Sequence, residues 1–308
     1  MNQNIPRVPV ILDTDIGSDI DDTWALAMLL RCPELDVRLV VSDTGHTEYR
    51  ARIIARLLEV AGRPDIAVGV GIKQTDESGP QAPWVADYEL ESYPGTLHHD
   101  GVKAIIDTIE TSRVPVSLVC IGPVTNIAEV LRKAPHVAPK TRFVGMYGSI
   151  RKHHEDKDGP IAEYNVKQDV KACQAVFEAP WLDMTITPLD TCGQIRLRGS
   201  KYAAITRSRG PLLRAVIENY RVWLNGKPDV GSSILFDTVA VHLAYSTKFL
   251  EMQKMGIKVT DDGFTVQNDD SNMVNVALNW TDLEGYENYL VQRLLGKKSM
   301  ANRPMRTH

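Results

Sequence analysis

Short apolar runs alternate with amphipathic stretches along the first two-thirds of the chain. PVILDTD (9–15), LDVRLVVSDT (35–44), IAVGVG (66–71), PVSLVCIG (115–122), TRFVGMYG (141–148) and LDMTITPLD (182–190) read as strands. Between them, DDTWALAMLLRC (21–32), a stretch from Thr47 that stops at Gly62, GVKAIIDTIETSR (101–113), PVTNIAEVLRKA (123–134) and DVKACQAVFEA (169–179) carry helical spacing. Strands that are apolar throughout are buried on both faces. The pattern therefore predicts an α/β fold, an open, mostly parallel sheet covered by helices. Beyond about Gly199 the chain reads as mainly helical, with LLRAVIENYRVWL (212–224) and LFDTVAVHLAYS (235–246). IKVTDDGFTVQ (257–267) and NMVNVALNW (272–280) look like a late hairpin before a final helix. No Gly/Ser/Pro-rich linker, internal repeat or low-complexity tract divides the sequence, which predicts a single domain over residues 1–308. The segments 72–99 and 149–163 are long for loops of an α/β domain, a length that suits lids and binding loops as well as solvated charged segments.

Composition adds exclusions. With 35 Lys+Arg against 39 Asp+Glu the net charge is −4, so no basic surplus points to a nucleic-acid polymer as partner. No run is long and apolar enough for a membrane span, and the N-terminus MNQNIPRVPV has no basic region followed by a hydrophobic stretch. Cys32, Cys120, Cys173 and Cys192 are scattered without a CxxC pair, which fits neither a zinc knuckle nor a disulfide framework and leads us to expect a reducing cytoplasm.

The distribution of charge is more informative than its sum. Five aspartates fall between Asp13 and Asp22. Asp13 and Asp15 end the first strand with a spacing of two, which predicts that both side chains share one side; Gly17 permits a sharp turn, and Asp21 and Asp22 open the next helix. One helix needs one capping carboxylate, so Asp19 and Asp21 are assigned to the turn and cap, and Asp13, Asp15 and Asp22 remain to be explained. At about 5 Å, Asp15 and Asp22 repel by roughly 3 kcal/mol at an effective dielectric of 20. A cation is expected between them. Hard carboxylate oxygens without nearby Cys or His select Ca²⁺ or Mg²⁺ over zinc. Asp43, the Ile121-Gly122 turn, the loop after Gly148 and Asp190 also stand at strand ends, where open α/β sheets bind ligands.

ILDTDIGSDIDDTWAL, then IGPVTNIAEVL, then AEYNVKQDVKA and, further on, ILFDTVAVHLA resemble in that order the motifs of the inosine-uridine-preferring nucleoside hydrolase family. The resemblance implies calcium-dependent hydrolysis of the N-glycosidic bond of a small-molecule ribonucleoside or related N-riboside, by a homodimer or homotetramer. It implies that Asp15 binds Ca²⁺ and acts as general base on a water, and that Asp22 is the second calcium carboxylate. The turn holds two residues more than the shorter DPGxDD form, and aligning Ala25-Leu26 selects Asp22 over Asp19. By the same matching Ile121 gives a main-chain carbonyl to the metal and Asp237 the last carboxylate. Glu163 and Asn165 match residues that hold the ribose hydroxyls, and Asp13 matches a carboxylate that orients the substrate site. A metal-bound water, a base and negative charge near an oxocarbenium-like state are what hydrolysis at C1′ requires.

Three positions depart from the pattern. Phe236 stands where many relatives have the histidine that protonates the leaving base; His46 and Lys157 each replace a sugar-side asparagine. His46, already at a substrate-binding position, is also a candidate leaving-group acid, as are the loop histidines His98, His99, His153 and His154. His242 is expected to pack inside a helix, and Phe236 and Trp84 suit either a base-stacking or a core role. Two other classes compete. A hydrophobic run before DxD also describes a haloacid-dehalogenase-like phosphatase, although its later catalytic Lys is not evident, and the Phe236 change suits a non-catalytic ribose- or nucleoside-binding relative. A nicotinamide-binding fold is disfavoured because Gly69 and Gly71 are not followed by a third glycine at the required spacing.

Overall fold

Alternate residues of a strand point to opposite faces of its sheet, and this sequence supplies apolar side chains to both. The computed structural model describes residues 7–297, so residues 1–6, part of the segment read for a leader, and 298–308 of the expected domain lie outside the described residues. The strands are β1 (Val8–Thr14), β2 (Leu35–Ser42), β3 (Ala67–Val70), β4 (Leu97–His98), β5 (Val116–Cys120), β6 (Thr141–Met146), β7 (Asp183–Thr187), β8 (Leu250–Val259), β9 (Thr265–Gln267) and β10 (Met273–Trp280). The first helices are α1 (Asp21–Leu29), α2 (Thr47–Val60), α3 (Gly101–Thr111), α4 (Thr125–Lys133), α5 (Tyr164–Gln168) and α6 (Val170–Glu178). They are followed by α7 (Leu189–Cys192), α8 (Gly199–Thr206), α9 (Pro211–Leu224), α10 (Asp237–Leu243) and α11 (Leu283–Leu294).

One ten-stranded sheet has the order β4-β3-β2-β1-β5-β6-β7-β10-β8-β9, parallel from β4 through β10 and antiparallel on either side of β8. Val10, Leu12, Val40, Val119 and Val144 face a core with Trp24 of α1, Ile53 of α2, Val216 of α9 and Val239 of α10. Ile11, Leu39, Val41, Leu118 and Phe143 face the other core, with Ile105 of α3, Ile127 of α4 and Val176 of α6. The predicted open, mostly parallel α/β sheet covered by helices is what forms. Its C-terminal part differs in detail from expectation. IKVTDDGFTVQ is itself a hairpin, pairing Ile257 with Gln267, whereas NMVNVALNW forms β10 and inserts between β7 and β8. Among the described residues no helix is long and apolar enough to cross a membrane.

From β1 the chain winds one way through β2, β3 and β4, then returns to β5 and winds the other way. The order reverses between β1 and β5. Loops leaving the carboxyl ends of these neighbours diverge there and leave a crevice.

Candidate active site

The acidic segment is built around the end of β1. Strand parity sends Asp13 to the face of Ile11, where its Oδ2 accepts from Asn126 Nδ2 of α4 at 2.9 Å. Thr14 faces the other way and donates through Oγ1 to Asp22 Oδ1. The strand ends at Thr14, so its period does not extend to Asp15, and the expected shared side for Asp13 and Asp15 is not found: Asp13 is fully buried and Asp15 faces the crevice. Gly17 has φ +111°, and a Cβ there would stand 2.8 Å from the Tyr49 ring. Gly122, after β5, lets the backbone approach Asp15 closely, since a Cβ would lie 2.8 Å from the Asp15 nitrogen. Both glycines are sterically required by the turn.

Asp15 Oδ2 accepts from Ser18 Oγ at 2.7 Å, and Arg50 of α2 lies beneath the turn, donating to the carbonyls of Asp15, Ile16 and Thr44. The helix α1 then points its first turn at the first turn of α10. Asp21, Asp22 and Asp237 meet there, all buried, with carboxylate oxygens within 4.8 Å of one another. The assignment of Asp21 to capping is corrected by this geometry. The N-cap of α1 is Ile20, without a side-chain cap, and Asp21 Oδ2 instead accepts from the Asp237 N–H at 3.3 Å. Burial first, and then the charges of neighbouring aspartates, push Asp21, Asp22 and Asp237 well above the usual carboxylate range. Asp13 is pushed up to about 7 by burial, with its Asn126 bond opposing. Crowded, buried, hard oxygens of this kind fit a Ca²⁺- or Mg²⁺-like ion.

A cavity of about 610 Å³ opens above the cluster, and Asp15, Asp22, Ile121, Glu163, Asn165 and Asp237 all line it. Glu163 caps α5 and faces the cavity. Its Oε1 accepts from Asn165 N at 2.7 Å and its Oε2 from Gly148 N at 3.1 Å, yet burial raises its pKa to about 7. Asn165 Nδ2 donates to the carbonyls of Ile121 at 3.1 Å and Met146 at 3.2 Å, tying the ends of β5 and β6 together.

A second part of the lining is aromatic and less buried, formed by His154, Tyr164, Trp223 and Phe236. The His154 and Phe236 rings meet edge to face with centroids 5.6 Å apart. Burial, with His153 and Lys157 adding to it, lowers the His154 pKa. The other sequence candidates do not line the cavity. His46, at the N-cap position of α2, turns to Ser78 Oγ, 3.1 Å from its Nδ1. His98 lies in edge strand β4, with His99 just after it, three strands away from β1. His153 packs against His154 from outside the cavity with ring centroids 6.0 Å apart. Asp13, proposed for the substrate, lies beneath the floor. His242 packs as expected, against Lys248 O at 2.9 Å, and Trp84 is buried under the Arg56 guanidinium.

Several supporting residues were not singled out in the sequence. Arg50 was detectable: it falls three and four positions before Ile53 and Ile54 on the buried stripe of α2, a place where a charge needs a partner. Asn126 stands in the first turn of α4, in the connection that follows β5, and its Nδ2 also bonds Ser42 O at 3.1 Å while its Oδ1 accepts from Ile72 N at 2.9 Å. Gln81, in the middle of the long 72–99 segment, had no local signal; it donates to Asp19 O at 2.8 Å and accepts from Asn219 at 2.7 Å.

Comparison with known proteins agrees with this geometry. The family model described as inosine-uridine preferring nucleoside hydrolase matches residues 10–288. Pyrimidine-specific ribonucleoside hydrolase RihA of Salmonella enteritidis PT4 is 26% identical over 320 aligned residues, covering 93% of this chain and 98% of the relative. Among solved structures, the plant nucleoside hydrolase PpNRh1 superposes with a TM-score of 0.79 at 22% identity, over 94% of this chain and 99% of that one. A purine-preferring ribonucleoside hydrolase from Gardnerella vaginalis gives a TM-score of 0.76 at 24% identity, over 94% and 98%. These two share the fold.

Proposed function

Because the chain belongs to the inosine-uridine preferring nucleoside hydrolase family and hydrolyses the N-glycosidic bond of ribonucleosides, we propose that it does so with Ca²⁺ held by Asp15, Asp22, Asp237 and the Ile121 carbonyl. The observation that carries the proposal is the buried carboxylate group Asp21, Asp22 and Asp237, within 4.8 Å of one another at the floor of a cavity that Asp15 and Ile121 also line. When bound, the ion supplies an anchor for the ribose hydroxyls and a water of lowered pKa.

The chain's own residues do the rest. Asp15 takes the proton of the attacking water as general base, steadied by Ser18. Glu163 places negative charge near the developing oxocarbenium ion, held in aim by three backbone N–H groups. Asn165 has its amide nitrogen engaged on Ile121 and Met146, which leaves its carbonyl oxygen to accept from a ribose hydroxyl. Asp13 acts from below by fixing Asn126 rather than by touching substrate. The reading extends to a ribonucleoside or related N-riboside as substrate, and to a homodimer or homotetramer working in the cytoplasm.

Family membership removes the phosphatase reading of the same DxD. A binder that lost turnover is the remaining alternative, favoured by Phe236 beside Asp237. Reducing-sugar release from uridine and inosine, measured after chelation and again after Ca²⁺ is restored, separates the two. Release is expected to vanish and return, and Asp15→Ala is expected to lower it by about 10⁴-fold. Ribose binding by calorimetry with no release would overturn catalysis, and an active Asp15→Ala would overturn the role of Asp15.

A further inference from the structure

Departure of a nucleobase anion is slow unless a proton reaches the base, and Phe236 beside Asp237 offers none. A proton donor reaches the same place from another element. His154, partly buried on the 149–163 segment, lines the cavity, and its ring meets the Phe236 ring edge to face. The segment carrying it is firmly anchored. Asp190, buried at the start of α7, accepts the N–H groups of Ile150 and Arg151, each at 2.8 Å, and of Lys152 at 3.2 Å. On the far side of His154, the Glu155 N–H donates to Gly193 O at 3.0 Å and the His153 N–H to Lys157 O at 2.9 Å. Glu155 and Asp156 follow with φ of 58° and 63°, left-handed conformations that non-glycine residues hold only when neighbours impose them. His154 is therefore presented by a loop fixed on both sides of it.

Other proton-bearing groups on the cavity wall are poorer donors. Burial raises the Tyr164 phenol, making it a weaker acid, and Lys167 stands on an exposed helix face. None of His46, His98, His99 and His153 reaches the cavity.

We propose that His154 is the general acid that protonates the leaving base, and that Asp190 is the positioning residue that holds its loop. The inference rests on the nucleoside hydrolase reading and deepens it. As the C1′–N bond breaks, its electron pair passes to the base, and the imidazolium N–H proton of His154 transfers to a base nitrogen. The water oxygen forms the new bond to C1′ and its proton passes to Asp15; Asp15 then releases that proton to solvent and His154 regains one from it, which restores the starting enzyme. Base, ribose and the starting enzyme account for every atom.

The test compares two leaving groups with the Ca²⁺-loaded full chain. Inosine needs an acid, whereas 4-nitrophenyl β-D-riboside releases a phenolate that does not. His154→Gln is expected to lower kcat on inosine by about 10²- to 10⁴-fold with KM little changed. On the nitrophenyl riboside it should stay within about threefold of the parent. Asp190→Asn is expected to show the same leaving-group-selective loss on a smaller scale, about 10- to 100-fold. Equal losses on both substrates would make the loop merely structural and overturn the assignment, as would normal inosine turnover by His154→Gln. A parent enzyme that cleaves neither substrate would overturn the nucleoside hydrolase reading itself, which keeps the two failures distinguishable.

Discussion

The two walls of the cavity are built differently. The floor, with Asp15, Asp21, Asp22 and Asp237, is buried, set by a strand end and by two helix starts facing each other, with one carboxylate oxygen each of Asp15, Asp21 and Asp22 hydrogen-bonded. The aromatic wall, with His154, Tyr164, Trp223 and Phe236, is partly exposed and rests on the 149–163 segment and the ends of helices. Charges that repel one another stay together only if the backbone leaves them no alternative, so the floor has to be rigid. A wall that meets a planar base needs shape and one proton, and a loop pinned by one carboxylate can supply both. The chemistry common to all substrates thus belongs to the first wall, and discrimination among leaving groups to the second.

The strongest way to break this division is to alter the floor. Asp237→Ala is expected to lower turnover of inosine and 4-nitrophenyl riboside alike, by about 10⁴-fold, because it disturbs the water and its base rather than the leaving group. Ca²⁺ affinity should fall on the order of 100-fold by isothermal titration, since carboxylate count sets affinity at such sites. A loss confined to inosine would erase the distinction between the walls.

Buried groups of the site should also respond to pH with opposite sign. Glu163 is raised from 4.5 to about 7 by burial, so between those values the unfolded chain loses a proton that the folded chain keeps. Its contribution to stability is complete below about 4.5 and is lost as pH rises through 7, roughly 3 kcal/mol in all at 1.36 kcal/mol per unit. Asp13, raised to about 7 for the same first cause, acts in the same direction. His154 is lowered by burial, so its proton favours the unfolded chain and its effect runs the other way, stability rising as pH climbs past its folded value. Urea unfolding in chelator between pH 4.5 and 7.5 should show a net decline that Glu163→Gln flattens. A decline of the same slope in that variant would remove Glu163 as its source.

The same contrast explains what was legible in the sequence. Continuous apolar strands and helix spacing determine the α/β sheet, and the position of Asp15, Asp22, Ile121 and Asp237 at element ends brings them to one cavity. Asp21 was misread because a first-turn aspartate has a ready local role; only the approach of α10, more than 200 positions later, gives it another. His154 could not be separated from the other loop histidines, because its place depends on Asp190 across the chain rather than on its neighbours. Local pattern specifies the elements. It does not specify which loop folds back over them.

Gln81 offers the finest test, because it touches neither wall's chemistry. It is buried in the 72–99 segment, and its Nε2 donates to Asp19 O at 2.8 Å while its Oε1 accepts from Asn219 of α9 at 2.7 Å. Its own N–H donates to Tyr49 OH at 3.1 Å, and that hydroxyl donates to Gly17 O at 3.0 Å, so one residue ties a long loop and α9 to the acidic turn. Gln81→Ala takes the nearer acceptor from the buried Asn219 amide and the side-chain donor from the Asp19 carbonyl, and is expected to cost about 1–3 kcal/mol in a denaturant melt. The turn keeps all its carboxylates, so Ca²⁺ affinity should shift by less than about tenfold, and inosine and nitrophenyl riboside should be affected equally. A larger loss on inosine would mean that the acidic turn and the His154 wall move together, and the two halves of the cavity would then have to be treated as one mechanical unit.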